Sequence, residues 1–153
     1  MYYCLYSRGG RHLAWYLPLL NGKRWRETVS TTTTPGQKFF DEQMAYIGAN
    51  DVDGLIDGHY TPDAVLITPA DFLDTPPPHI VRGTQELKDY FRKYLAWQGE
   101  IKVESLYDFA ETDDSIFFQA IITSKTGRWV VGDAWYMRDG KISRHYSFEY
   151  KLG

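Results

Sequence analysis

The stretch RWVVGDAWYMRDGKISRHYSFEY, residues 128–150, decides the fold predicted for this chain. It contains two β-type runs joined by Asp139-Gly140, a pair that tolerates the positive φ angles of a tight hairpin turn. Side chains alternate across a strand, so one face of the first run carries a single carboxylate among large apolar groups. That face consists of Trp129, Val131, Asp133, Trp135 and Met137. The second run presents His145, Ser147 and Glu149 on one face. An isolated aspartate therefore lies beside a strand that offers histidine and glutamate.

Composition predicts one globular domain with an aromatic core or pocket. The chain has 153 residues, of which 24% are charged and 16% are aromatic, and this length is sufficient to bury a core. The net charge of −3 gives no electrostatic reason to bind nucleic acid or an anionic membrane. No apolar run approaches the ~20 residues of a membrane span. We therefore predict a cytoplasmic protein that binds neither nucleic acid nor membrane.

Metal and cofactor sites have no support in the sequence. Cys4 is the only cysteine, which excludes an intramolecular disulfide and a cysteine-based zinc site. The four histidines show no metal-ligand spacing, and the chain has no glycine-rich phosphate loop. We predict no metal and no cofactor.

The N-terminal region differs in charge from the rest of the chain. Residues 1–28 contain five basic side chains and one acidic side chain. We predict an atypical extension at 1–33, followed by a single domain at 34–153. One hypothesis is that the extension is upstream sequence translated from a misplaced start, with Val29 as the true initiator. The alternative is a genuine extension that docks through three aromatic side chains, Trp15, Tyr16 and Trp25.

Helical patterns follow this extension. Thr34-Pro35 predicts a helix start, because threonine caps helices well and proline suits the first helical position. Apolar side chains then recur at helical spacing, at Phe40, Met44 and Ile47. Asn50 is predicted to cap a second short helix, in which His59 lies on the buried side. A third helix is predicted to begin at Gly83-Thr84.

The remaining patterns predict strands. We expect short strands at 64–68 and 79–81, separated by a stiff, proline-rich loop. Four longer strands are expected at about 100–111, 115–124, 128–138 and 141–151. Helices followed by a hairpin-connected sheet indicate an α+β fold. The predicted architecture is a cone-shaped, curved, mixed or antiparallel sheet wrapped around three N-terminal helices.

Three sequence segments resemble those of a known superfamily: NDVDGL at 50–55, YTPDAV at 60–65 and DAWYMRDGKI at 133–142. Together with the order of elements, residues 35–150 resemble the nuclear transport factor two-like superfamily, which includes ketosteroid isomerases and SnoaL-type polyketide cyclases. The resemblance implies the α+β cone. It does not imply one activity, because this fold hosts isomerases, cyclases, dehydratases, hydrolases and non-catalytic binders.

The resemblance also transfers some site residues and not others. Asp133 stands where the isomerases and the SnoaL-like cyclases place an acidic residue that faces the pocket. The proton-shuttling aspartate of the isomerase would fall at Thr68, so steroid double-bond isomerisation is not expected. One aspartate of the limonene-type epoxide hydrolases would fall at Ser147, so that water-activating arrangement is not expected either. A homodimer through the outer sheet face is implied, with three candidate contacts, Phe117, Ile121 and Tyr136.

These residues predict an acid–base enzyme. Asp133 is expected to act as the acid and His145 or Glu149 as the base, from opposite sides of an aromatic cavity. The resemblance to SnoaL-type cyclases implies the substrate, a hydrophobic secondary metabolite of a bacterial pathway, polyketide-like or epoxide-bearing, which is cyclised or isomerised without a cofactor. The residues expected to contact it are Tyr46, His59, Tyr90, Trp129, Trp135, Met137 and Ser147.

Alternatives remain open for each part of this prediction. Asp133 could be a structural aspartate, and His145 a wall residue without a catalytic role. His59 fits a packed core histidine, and Glu149 fits a solvated or interface residue. The whole domain could be a non-catalytic binding or interaction module, and a dehydratase or hydrolase is a further alternative.

Overall fold

The computed structural model describes residues 33–153, within a unit that spans Thr32–Gly153. The hypotheses on residues 1–28, including the Val29 start, lie outside the described residues. The described part contains three helices and six strands. In chain order they are α1 Pro35–Gly48, α2 Val52–His59, β1 Tyr60–Thr68, β2 His79–Arg82, α3 Gly83–Gln98, β3 Lys102–Glu111, β4 Ser115–Ser124, β5 Gly127–Arg138 and β6 Lys141–Lys151.

The strands form one curved, unclosed sheet in the order β2-β1-β6-β5-β4-β3. Strand β1 runs parallel to β6, and every other neighbouring pair is antiparallel. Helix α3 packs on β1 and β2, and α2 packs between α1 and α3. The predicted α+β cone with a mixed sheet is confirmed.

The first two helices begin at caps, one of which the sequence predicted. The Thr34 side chain accepts a hydrogen bond from the Gln37 N–H at 3.2 Å, so α1 begins as expected. The predicted cap of α2 at Asn50 is wrong, because Asp51 accepts the bond from the Gly54 N–H at 2.9 Å. Asn50 instead closes the end of α1 in a left-handed conformation with φ 55°, which asparagine tolerates.

The hairpin between β5 and β6 has the predicted turn and also one irregularity. Asp139 and Gly140 have φ angles of 53° and 74°, as a two-residue turn of this type requires. Beyond the turn the register shifts, because Ser143 has no Cα partner on β5. Its hydroxyl donates to the Tyr136 carbonyl at 3.0 Å. Ser143 is therefore the extra residue of a β-bulge, which reverses the alternation of side chains along β6.

The core lies between the helices and the inner face of the sheet. Its most buried apolar side chains come from every layer, and they are Leu55, Ile56, Leu66, Leu87, Trp135 and Ile142. Ion pairs join α2 to α3 at the solvent side, where Lys88 lies 3.1 Å from Asp53 and 2.9 Å from Asp57. Within residues 33–153, no helix combines the length and hydropathy that crossing a membrane requires.

The bulge gives a testable prediction for the register. Deletion of Ser143 should leave the pairing from Arg144 onward unchanged, because the extra residue is the one removed. We expect a free energy of unfolding within about 1 kcal/mol of the wild type and retained NMR contacts between the backbones of Trp135 and His145.

Deletion of Tyr146 is the matched control. It should turn Ser147 and Glu149 to the outer face and destabilise the domain by several times more, since the side-chain period of a strand is two residues. Equal destabilisation by the two deletions would contradict the assignment of Ser143 as the bulge residue.

Candidate active site

A cavity lies between the helices and the inner face of the sheet, with a volume of about 90 Å³ measured as the space open to the centres of water molecules. Its helical wall is mainly apolar and aromatic, formed by Phe40, Met44, Ile47, Tyr90, Phe91 and Tyr94. Its polar wall comes from the two hairpin strands and consists of Asp133, His145, Ser147 and Glu149. Within the described part of the chain, no lysine or arginine lines this cavity.

The bulge at Ser143 brings these polar side chains together. Asp133 is directly opposite Ser147 in the register of β5 and β6. His145 and Glu149 flank Ser147 on the same face, at the two diagonal positions from Asp133. Diagonal neighbours on adjacent strands are within reach of long side chains, so Asp133 lies between a histidine and a glutamate.

Asp133 and His145 are in direct contact. The Asp133 Oδ1 atom lies 3.1 Å from His145 Nε2, and the two side chains are 19% and 6% exposed. The geometry of this contact falls short of a well-aligned hydrogen bond. This corrects the expectation that the two groups face each other from opposite sides of the cavity.

The other ring nitrogen of His145 contacts a tyrosine. His145 Nδ1 lies 3.0 Å from the hydroxyl of Tyr60. Tyr60 is buried at the start of β1, and this burial raises the pKa of its hydroxyl far above the ordinary value. The hydroxyl therefore keeps its proton and can donate it in a hydrogen bond to the imidazole.

Glu149 is the second carboxyl group of the cavity. Its Oε1 atom is buried and has no hydrogen-bond partner among residues 33–153. Burial, together with the negative charges of Asp71 and Asp133, raises the pKa of Glu149 to about 7. Near neutral pH this side chain therefore exists in both its protonated and its charged form.

The predicted ligand-contact residues divide into two groups. Tyr90 and Ser147 line the cavity, and the Tyr90 hydroxyl lies 3.3 Å from that of Thr68. The other five pack elsewhere, and they are Tyr46, His59, Trp129, Trp135 and Met137. Trp135 packs edge-on against Phe118 beneath the cavity wall, with ring centroids 5.0 Å apart.

His59 lies behind the cavity wall and not in it. Its ring stacks on Phe39 at 4.1 Å between centroids, and Tyr46 meets it edge-on at 5.3 Å. Burial lowers the pKa of His59, and nearby Glu42 opposes that effect in part. His59 therefore belongs to the packing of α1 on α2. This agrees with the alternative interpretation of the sequence, in which His59 is a packed core histidine.

Three residues at or near the site were not predicted from the sequence. Gln43 lines the cavity from α1, and its signal was a polar side chain on an otherwise apolar helical stripe. Tyr60 contacts His145 through its hydroxyl, but the sequence around Tyr60 predicted only the end of a helix. Asp71 acts on Glu149 from the loop before β2, where no pattern marks it. No three His, Cys, Asp or Glu side chains within residues 33–153 are grouped as metal ligands.

An α+β cone with an aromatic cavity between its helices and its sheet, polar on one wall, defines the class of this protein. The chain belongs to the SnoaL-like domain family, whose model matches residues 37–145. Comparison with curated proteins gave no significant match.

Solved structures share this fold at low sequence identity. A SnoaL-like protein of unknown function from Burkholderia thailandensis is 18% identical with a TM-score of 0.63, over 80% of this chain and 98% of its own. A protein proposed to be a polyketide cyclase, from Sinorhizobium meliloti, is 14% identical with a TM-score of 0.58, over 72% and 93%. A protein proposed to be an isomerase, from Bacillus subtilis, is 21% identical with a TM-score of 0.55, over 76% and 86%.

The raised pKa of Glu149 gives a prediction that needs no substrate. NMR titration of its side-chain carboxyl carbon should give a midpoint near 7. Asp71→Asn should lower that midpoint, by less than about one unit, because it removes one partly screened negative charge. Asp74→Asn, in the same loop, is the control and should leave it unchanged. A wild-type midpoint close to the ordinary glutamate value of 4.5 would contradict the burial of Glu149.

Proposed function

We propose that this protein is a cofactor-independent acid–base enzyme that isomerises or cyclises an uncharged, hydrophobic small molecule. One observation carries the proposal: two carboxyl groups in the same aromatic cavity have opposite surroundings. Asp133 is next to an imidazole, whereas Glu149 is half-buried, with one buried oxygen that has no partner among the described residues, and is repelled by neighbouring negative charges. Environments that separate two titratable groups in this way indicate a division into base and acid.

The surroundings favour Asp133 as the base and Glu149 as the acid. Nε2 of His145 lies 3.1 Å from Asp133, which gives this carboxylate a polar partner in the position where it would accept a proton. Glu149, with its pKa of about 7, still carries a proton in part of the population at neutral pH. This assignment reverses the roles that the sequence suggested, because the apolar strand face does not isolate Asp133 from a polar partner.

The proposed reaction begins with removal of an acidic C–H proton next to a carbonyl group. Asp133 takes the proton, and the electron pair of the broken C–H bond forms a C=C bond as the carbonyl becomes an enol. Glu149 donates its proton to the carbonyl oxygen in the same step, which avoids a free enolate. In an isomerisation the enol is conjugated with a C=C bond, Asp133 returns its proton to the far carbon of that system, and the enol O–H proton goes back to Glu149. In a ring closure the enol carbon attacks an internal carbonyl, the enol O–H proton goes back to Glu149, and the new alkoxide takes the proton held by Asp133.

The cavity also favours a class of substrate. Its aromatic wall suits a hydrophobic ring, and within the described residues its lining offers carboxyl groups but no lysine or arginine. An anionic substrate would meet unbalanced negative charge in a poorly solvated space. We therefore propose an uncharged, carbonyl-bearing secondary metabolite. The similar structures proposed to be a polyketide cyclase and an isomerase support this choice.

Deuterium exchange tests this function without knowledge of the natural substrate. Hydrophobic cyclic ketones incubated in D₂O with the protein should gain deuterium at the α-carbon, as measured by mass spectrometry. Asp133→Asn should reduce the catalysed rate by about 10²-fold or more, the usual contribution of a general base. Asp113→Asn, in an exposed turn, is the control. Ketones that carry a carboxylate should exchange at least tenfold more slowly.

Exchange that survives Asp133→Asn would reject the proposed base. Tight ligand binding by the wild type and by the variant, with no catalysed exchange in either, would instead favour the non-catalytic binding module.

We also propose that a second copy of the chain covers the outer face of the sheet. Four aromatic side chains are exposed there, and they are Tyr136, Tyr146, Phe148 and Tyr150. The rings of Tyr136 and Tyr146 lie 6.0 Å apart on neighbouring strands, so these two side chains form one apolar area. The other two predicted contacts, Phe117 and Ile121, are half-buried on this face. Apolar surface of this kind is typical of an interface between copies.

Sedimentation velocity tests the dimer. Tyr146→Lys should convert a wild-type dimer to a monomer, because it places a charge at the centre of the aromatic area. Ile80→Lys is the matched control, because Ile80 is also exposed but lies on the edge strand β2. A monomeric wild type would reject this interface.

A further inference from the structure

A row of buried polar side chains continues from the site toward the protein surface. Behind His145, the Tyr60 hydroxyl lies 3.4 Å from Nε2 of Gln43. Oε1 of Gln43 lies 3.0 Å from Nδ1 of His59. All four side chains are buried. Buried polar groups need hydrogen-bond partners, and each side chain in this row is the partner of its neighbour.

Solvent is reached at the far end of the row. Nε2 of His59 lies 3.7 Å from a carboxylate oxygen of Glu42, whose side chain is 52% exposed. The row therefore connects the cavity, at Asp133, with the outer surface of α1. We call the three residues between Glu42 and His145, namely His59, Gln43 and Tyr60, the support chain.

With both imidazoles neutral, a row of this kind can carry its hydrogens in only two consistent directions. In the first, His59 Nδ1–H donates to Gln43, Gln43 Nε2–H donates to Tyr60, and the Tyr60 hydroxyl donates to His145 Nδ1. His145 then carries its hydrogen on Nε2, facing Asp133. In the second direction every link is reversed, with the Gln43 amide turned over, and His145 carries its hydrogen on Nδ1.

Electrostatics at the two ends favours the first direction. The second direction would set the Nε2 lone pair of His145 against the charged oxygen of Asp133 at 3.1 Å, with both side chains largely buried. The first direction sets a lone pair of His59 toward Glu42, but at 3.7 Å and beside a half-exposed carboxylate. Repulsion between acceptors is weaker at the longer distance and in the more polar surroundings.

We propose that the support chain is a positioning device that fixes the tautomer of His145, with the hydrogen on Nε2, the ring nitrogen next to Asp133. His59, Gln43 and Tyr60 then act on the site through His145 and are not catalytic themselves. The hydroxyl of Tyr60 occupies the Nδ1 lone pair of His145, which leaves Asp133 as the free base of the pair. The role of Asp133 as the free base rests on the proposed function, whereas the tautomer of His145 does not.

NMR spectroscopy of the full-length, ¹⁵N-labelled protein tests the tautomer directly, with no ligand added. Long-range ¹H–¹⁵N correlations distinguish a protonated ring nitrogen from an unprotonated one, and single His→Gln variants at positions 12 and 79 assist assignment. We expect His145 to be protonated on Nε2 only and His59 on Nδ1 only. A hydrogen on Nδ1 of His145 in the wild type would overturn the proposal.

Two variants test whether the support chain causes that preference. Gln43→Met, of similar volume, should cause loss of the single tautomer of His145 and produce a mixture, because Tyr60 is no longer held as a donor. Tyr60→Phe removes the donor itself and should have the same effect. Gln85→Met, on the exposed side of α3, is the control. An unchanged single tautomer in both variants would overturn the proposal.

The two proposals fail in different ways. Catalysed deuterium exchange that survives Asp133→Asn rejects Asp133 as the base, and this result has no bearing on the tautomer of His145 in the wild type. A wrong tautomer in the wild type rejects the support chain, even if exchange is catalysed.

Discussion

The site depends on one extra residue in strand β6. Ser143 has no partner on β5, and the residues after it therefore point to the opposite faces from those that an uninterrupted hairpin would give. Without this bulge, Asp133 would be opposite Tyr146, and His145 would turn to the outer face. The bulge instead sets Asp133 opposite Ser147, so that a carboxylate, an imidazole and a second carboxyl group share one cavity. A local irregularity of the backbone thus determines the chemistry of the whole inner face.

The two carboxyl groups of that cavity differ because their neighbours differ. Asp133 has an imidazole 3.1 Å away, whereas Glu149 has a buried oxygen without a partner among the described residues. The negative charge of Asp133 also contributes to the raised pKa of Glu149. Two like charges in a space of low polarity are unfavourable, so a charge on Asp133 favours the protonated form of Glu149. The proposed division into base and acid follows from this asymmetry.

The helices contribute more than a cover for the cavity. Gln43 from α1, His59 at the end of α2 and Tyr60 at the start of β1 bring hydrogen bonds to the back of His145. Burying these groups is costly unless every one of them is paired. The packing of the first two helices on the sheet is therefore coupled to the orientation of the imidazole. Gln43 and Tyr60 belong both to the packed core and to the surroundings of His145. The position of α1 therefore matters to the site as well as the residues of the hairpin.

The sequence by itself determined the class of fold and most of the elements. Alternation and helical spacing are local patterns, and they located three helices, six strands and the Asp139-Gly140 turn to within a few residues, apart from a later-than-observed start for β1. It also selected Asp133, His145 and Glu149, because polar side chains on an aromatic strand are recognisable from composition alone. Only the tertiary structure decided that these three share a face, since a bulge leaves no signature in the period of two. Contacts between residues distant in the chain, such as Tyr60 with His145 and Asp71 with Glu149, were likewise decided only by folding, because the protonation of a buried group depends on neighbours that local sequence does not specify.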